Sequence, residues 1–158
     1  MDRYKERRVL SLDELKNEVF GQHWHDETWH EVLRLISGMI DPKFINEIIE
    51  YLLNLKPDES TNPINLFLAA DCLSEVRNRK EITCSSQLLS KLQEFARTYE
   101  LGSDPSSKVI DRIAFTWKDN PNILVWLKSC LSFDSPSFVP EAAITAIAQH
   151  YKNSSGIL

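Results

Sequence analysis

An all-α fold is what this chain predicts, arranged as an α-solenoid of stacked helical hairpins behind an N-terminal capping helix. Three observations carry that prediction. Apolar residues recur at helical spacing along almost the whole chain, with no alternating segment bounded by hairpin turns. One start signal, a capping side chain followed by proline, occurs at Asp41-Pro42, Asn62-Pro63, Asp104-Pro105 and Asn120-Pro121. Finally, Ala114–Leu124 aligns without a gap with Ala148–Leu158, 34 residues on, pairing Trp117 with Tyr151, Lys118 with Lys152 and Ile123-Leu124 with Ile157-Leu158.

The elements follow in order. A capping helix over about 11–20 opens on Ser11-Leu-Asp-Glu14, the pattern of a capping box, with Leu10 and Leu15 placed as a hydrophobic staple. Trp29, Val32, Leu33, Ile36, Met39 and Ile40 mark the buried stripe of the next helix. Gly38 lets that helix approach a neighbour closely. Ile45, Ile48, Ile49, Leu52 and Leu53 mark the following one. Leu66 to Val76 carries apolar residues on most sides, including Phe67, Leu68 and Cys72, so this helix is expected at the centre. Leu88, Leu92, Phe95, Ala96 and Tyr99 define a fourth stripe, and Val109, Ile110, Ile113, Ala114 and Trp117 a fifth. Leu124, Leu127, Cys130 and Leu131 define a sixth, and Val139, Ala142, Ala143, Ala146, Ile147 and Tyr151 a seventh. At each proline start, the missing N–H falls at N1, where no intrahelical bond is due. Residues 56–62 and 102–107 read as short polar loops within one domain.

Helical hairpins open near Thr28, Pro63, Pro105 and Ser137. The organisation expected is one helical-repeat domain over 1–158: a capping segment, 1–26, and about three and a half hairpins over 27–158. Such a unit cannot bury both faces of its helices alone and must stack on its neighbours. The internal match places a helix start at Ile157-Leu158, which suggests a segment of a longer array. An uncovered apolar patch near Phe138, Ala142 and Ile147 is therefore expected.

Composition narrows the function. With 18 Lys and Arg against 23 Asp and Glu, the net charge is −5, which disfavours nucleic-acid binding through bulk positive charge. No apolar run reaches the ~18 residues of a membrane span, and the first residues are too polar for a signal peptide. Three scattered cysteines (Cys72, Cys84 and Cys130) fit a reducing, cytoplasmic setting. The four glycines never approach the spacing of a phosphate-binding loop. Neither a catalytic constellation nor a cofactor motif is present.

The candidate site residues are few. His23, His25 and His30, with Asp26, form the one metal-like cluster. The reading preferred for it is a solvated helix entry capped by Asp26. Trp24 and Trp126 fall off the apolar stripes and are candidates for a recognition edge. Arg77, Arg79 and Lys80 follow the central helix. They read as cations favoured by a helix C-terminus, or as a small anion site. Cys72 sits among apolar residues and reads as packing material.

The segment His23–Ile40 (HWHDETWHEVLRLISGMI) resembles the region that follows the nucleotide-binding module in bacterial, especially cyanobacterial, NACHT-type signalling NTPases. Leu68–Arg77 is similar to that family's second hairpin. Trp117-Lys118-Asp119, with Asp134 and Ala142-Ala143-Ile144, resembles its HEAT-type C-terminal repeats. The resemblance spans about residues 10–158 and implies a HEAT-like superhelix acting as a regulatory or recognition part, with a protein partner or the NTPase core bound on its surface. The family's Walker lysine, magnesium-binding acids and sensor residues have no counterpart here, so no ATPase residue carries over. Where the family's repeats place an arginine, this chain has Pro140, so the usual Asp–Arg ladder through Asp134 is not expected. The leading expectation is a non-enzymatic recognition domain without cofactor. The alternative is a HEAT-like bilin lyase or chaperone acting on tetrapyrrole-carrying proteins.

Overall fold

A computed structural model describes residues 10–56, 63–79, 82–98, 104–129 and 138–151. Among them the protein is helical, with no strand. Asn62, Lys80, Tyr99, Cys130, Leu131, Asp134 and the second half of the internal match beyond Tyr151 lie outside the described residues, as do the side chains of Phe138, Val139 and Ala142.

The chain opens with α1 (Leu12–Glu14), a π-helical stretch (Leu15–Phe20) and α2 (Gly21–His23). Ser11 caps this entry: its Oγ accepts from Glu14 N at 3.1 Å and lies 3.2 Å from Glu14 Oε1. The expected plain helix is thus widened in its middle. Gly21 N donates to Lys16 O, five residues back, and the wider turn places Leu15 and Phe20 together in the core. Gly21 makes this possible, because a Cβ there would lie 3.0 Å from Lys16 O and 2.9 Å from Tyr51 Oη. Leu10 remains half-exposed beside the buried Leu15.

Asp26 then caps a 3-10 turn (Glu27–Trp29) that leads into α3 (His30–Met39). Asp41 and Pro42 start α4 (Pro42–Asn54) as expected, Asp41 Oδ1 accepting from Lys43 N at 2.9 Å. Pro63 is the N-cap of α5 (Ile64–Ser74) and not its first residue, one position earlier than the sequence suggested. Further on lie α6 (Ser85–Thr98), α7 (Asp104–Thr116), α8 (Pro121–Ser129) and α9 (Phe138–His150). Asn120 caps α8 through Asn122 N at 3.0 Å. Pro140 falls within the first turn of α9, where no intrahelical donor is required.

Helix α5 lies at the centre, packed against α3, α4, α6 and α7. This explains why its sequence is apolar all round: Phe67, Leu68, Ala69, Ala70, Cys72 and Leu73 are all buried. Helix α7 repeats the arrangement, packing against α5, α6, α8 and α9. Its inward residues Val109, Ile110, Ile113 and Ala114 are inaccessible to solvent. The even-numbered helices are tied on by polar bonds at helix ends. Asn65 Nδ2 donates to Leu52 O at 2.8 Å and to Leu55 O at 3.3 Å, satisfying carbonyls at the end of α4. Lys91 Nζ donates to Leu53 O at 3.1 Å, and Trp117 Nε1 to Ser85 Oγ at 3.1 Å.

Two burial expectations are corrected. On α3 only Leu33 of the expected stripe is fully buried, whereas Trp29, Val32 and Met39 are exposed, Met39 to 84%. The apolar arc of α3 is wider than the face that α5 covers. At the other end, Ile147 is buried at 7% exposure, so it does not belong to an uncovered patch. Gly38 is exposed, and a Cβ there would meet Glu75 Cβ at an ordinary 3.4 Å, so it does not mark a close helix approach.

Candidate functional site

The helices α3, α5, α7 and α9 touch one another in turn, and charged pairs join each to the next. On α3, Arg34 reaches Glu31 (Nη2 to Oε1, 2.8 Å) and Glu75 at the end of α5 (Nε to Oε1, 3.4 Å). On α5, Asp71 holds Arg112 of α7, with Nε 3.3 Å from Oδ1 and Nη2 3.5 Å from Oδ2. On α7, Asp111 meets His150 of α9 at 2.9 Å. The residues of these three pairs stand 41, 41 and 39 residues apart in the chain. Both arginine Nε atoms are buried and lie within ion-pair distance, but out of line for a hydrogen bond. Burial pushes the Asp71 carboxyl above its ordinary value, and the Arg112 charge offsets this only in part.

Beside this ladder, a groove of about 340 Å³ opens among Glu27, His30, Ile64, Phe67, Asp71, Lys108 and Arg112. Periodicity explains the lining. Ile64, Phe67 and Asp71 stand at i, i+3 and i+7 on α5, and Lys108 and Arg112 at i and i+4 on α7. The guanidinium of Arg112 lies over the Phe67 ring, 4.4 Å from its centroid, which covers the aromatic floor with a cation that Asp71 holds in place. His30 Nε2 donates to Trp24 O at 2.7 Å, because a carbonyl can only accept; this fixes the tautomer and leaves Nδ1 as the acceptor of the neutral ring. Farther along the same row, Phe115 is half-exposed, with Lys118 Nζ 5.4 Å from its centroid and His150 against its edge.

The residues singled out from the sequence do not assemble into one site. His23 stacks on Trp29 with ring centroids 3.8 Å apart, His25 meets Trp24 edge-on, and His30 is bonded to Trp24. Among the described residues, no group of three or more His, Cys, Asp or Glu is placed to hold a metal ion. Asp26 instead accepts from Thr28 N at 3.0 Å and Thr28 Oγ1 at 2.6 Å, and these bonds hold its carboxyl below the usual range. Trp24 and Trp126 are partly buried against the core; Trp29, expected in the core, is the tryptophan at the surface. Arg77 is exposed. Arg79 donates through Nη1 to Thr116 O, the last carbonyl of α7, so it caps a neighbouring helix and not its own. Lys80 lies outside the described residues. Cys72 is fully buried and its thiol is pushed up to about 12, which makes it inert as a nucleophile.

Sequence reasoning missed the ladder and the groove. The one signal that could have found them was the recurrence of opposite charges about 40 residues apart on corresponding helix faces. Comparison with family models, with curated proteins and with solved structures returned no match.

Proposed function

We propose that this chain is an α-solenoid of HEAT-like hairpins with a non-enzymatic recognition role, and that the row formed by α3, α5, α7 and α9 presents the binding face to a protein partner. The observation that carries the reading is the spacing of the charged ladder. The pairs Arg34–Glu75, Asp71–Arg112 and Asp111–His150 join successive row helices at separations of 39 to 41 residues. Other inter-helix bonds keep the same spacing: Asn46 to Cys84 at 38, Lys91 to Leu53 at 38 and Arg79 to Thr116 at 37. A constant separation of this kind is what stacked two-helix units produce, each contacting only its neighbours.

The face so formed carries aromatic rings beside cations, Phe67 with Arg112 and Phe115 with Lys118, a composition suited to protein recognition. The resemblance of His23–Ile40 and Leu68–Arg77 to the helical region of NACHT-type NTPases supports a partner of that class, with this chain as a regulatory element. The test is direct. The chain is mixed with a purified NACHT-type NTPase core, and co-elution and ATP hydrolysis rate are measured. Co-elution with a changed rate, both lost in a Phe115→Ala, Lys118→Glu double variant, is the outcome expected. Separate elution at micromolar concentrations with an unchanged rate overturns the assignment of partner. Small-angle scattering tests the shape separately: a radius of gyration at the compact value for this length, about 15 Å, would count against the solenoid.

A further inference from the structure

We propose that the groove among Glu27, Phe67 and Lys108 binds a short apolar peptide with both ends free, a di- or tripeptide zwitterion. Its volume, about 340 Å³, lies at the lower end of the range for small-molecule sites and is too small for a folded segment. Its floor, on α5, is apolar: Ile64 and Phe67 line it. Its walls carry opposite charges. On the α7 side stand Lys108 and Arg112; on the side of the 3-10 turn stand Glu27 and His30.

Pairing within the groove is incomplete in a telling way. Asp71 and Arg112 neutralise each other, and His30 donates to Trp24 O. Lys108 and Glu27 have no ion-pair partner among the described residues. A ligand that answers both must therefore offer a carboxylate to α7 and an ammonium to the 3-10 turn, with an apolar body between them for the floor. Length selects among zwitterions. Packed helices lie about 8–10 Å apart, so the two helices that flank α5 have axes about 16–20 Å apart. With long side chains reaching inward from both walls, the remaining gap suits two or three extended residues of about 3.3–3.6 Å each. One amino acid, whose charges sit on adjacent atoms of a single carbon, is too short to meet both.

The site is independent of the partner proposed above and is tested without it, by isothermal titration of the full chain. The probes are Leu-Leu and Leu-Leu-Leu, each also acetylated at the amine or amidated at the carboxylate, and free leucine. Saturable binding of a free-ended peptide is expected, weakened about tenfold by blocking either end, since hydrogen bonds to charged groups are the stronger ones. Lys108→Gln should abolish the penalty for amidation and leave that for acetylation; Glu27→Gln should do the reverse. Both residues are exposed, so neither variant threatens the fold. No saturable heat from either peptide overturns the proposal. So does equal binding by both variants and the parent, and so does tighter binding of free leucine.

Discussion

Asp71 on α5 and Arg112 on α7 form an ion pair 3.3 Å long, yet the carboxyl titrates above its ordinary range because burial outweighs the guanidinium beside it. The pair joins the two central helices of the row, at the edge of the groove. Its role is therefore geometric as much as energetic: it holds the Arg112 plane over Phe67. Partly buried pairs of this kind are weak evidence for stability.

That balance predicts a pH dependence with a definite sign. A carboxyl whose folded pKa lies above its unfolded value, near 3.8, binds more protons in the fold. Its contribution to stability then falls as pH rises from the unfolded value through the folded one, and is level above. Urea unfolding of the parent and of Asp71→Asn between pH 3 and 7 measures this. The stability of the parent relative to the variant should decline as pH rises. A difference that grows with pH would mean that Arg112 prevails over burial.

The two helical glycines predict opposite responses to alanine. Gly38→Ala adds a methyl at ordinary contact distance from Glu75 on an exposed helix face, and should stabilise by about 0.5–1 kcal/mol. Gly21→Ala places its methyl against the Lys16 carbonyl at 3.0 Å and Tyr51 Oη at 2.9 Å, and should destabilise by about 1–3 kcal/mol despite the better helix propensity. Thermal denaturation of both variants decides; a gain for Gly21→Ala would dismiss the π-helical packing.

Leu73 and Met39 separate core from surface. Leu73→Asp buries a carboxylate in a fully inaccessible site on α5 and should cost several kcal/mol, a large share of the ~5–15 kcal/mol that stabilises a domain. Far-UV circular dichroism should show loss of helix at 37 °C. Met39→Lys, at an 84% exposed position, should change stability by less than about 0.5 kcal/mol. Equal responses would refute the packing of α3 against α5.

Cys72 should resist alkylation in the folded chain. Its thiol is fully buried and raised to about 12, so iodoacetamide at pH 8 should label the Cys72 peptide only as denaturant unfolds the protein. Peptide mass mapping across a urea series reads this directly. Rapid labelling of the native chain would show that α5 is accessible.

Much of the fold was legible because helical periodicity is local. The stripe of α4, Ile45 to Leu53, and that of α7, Val109 to Ala114, are buried where the 3.6-residue spacing put them. Asp41 and Asn120 cap as expected because a cap is decided within three residues. The widened turn at Leu15–Phe20 was not legible, since it depends on Tyr51 packing against Gly21. The candidate site was legible hardly at all. His23, His25 and His30 are adjacent in the chain and suggest a ligand set, but each imidazole is occupied by an aromatic ring or a carbonyl. Arg79 was read as a cap for its own helix and serves Thr116, 37 residues away.

By itself, then, the order of amino acids decided which segments coil, where most of them begin, and that the α5 segment must lie at the centre. Those are properties of neighbours within one or two turns, where backbone sterics and side-chain spacing leave few choices. Tertiary structure alone decided that Trp29 faces solvent while Ile147 does not, and that Arg34, Asp71, Asp111 and their partners line one row with a groove beside it. Whether an apolar arc is covered, or a charge answered, depends on which helix packs against it, and residues some 40 positions apart meet only once the helices are stacked.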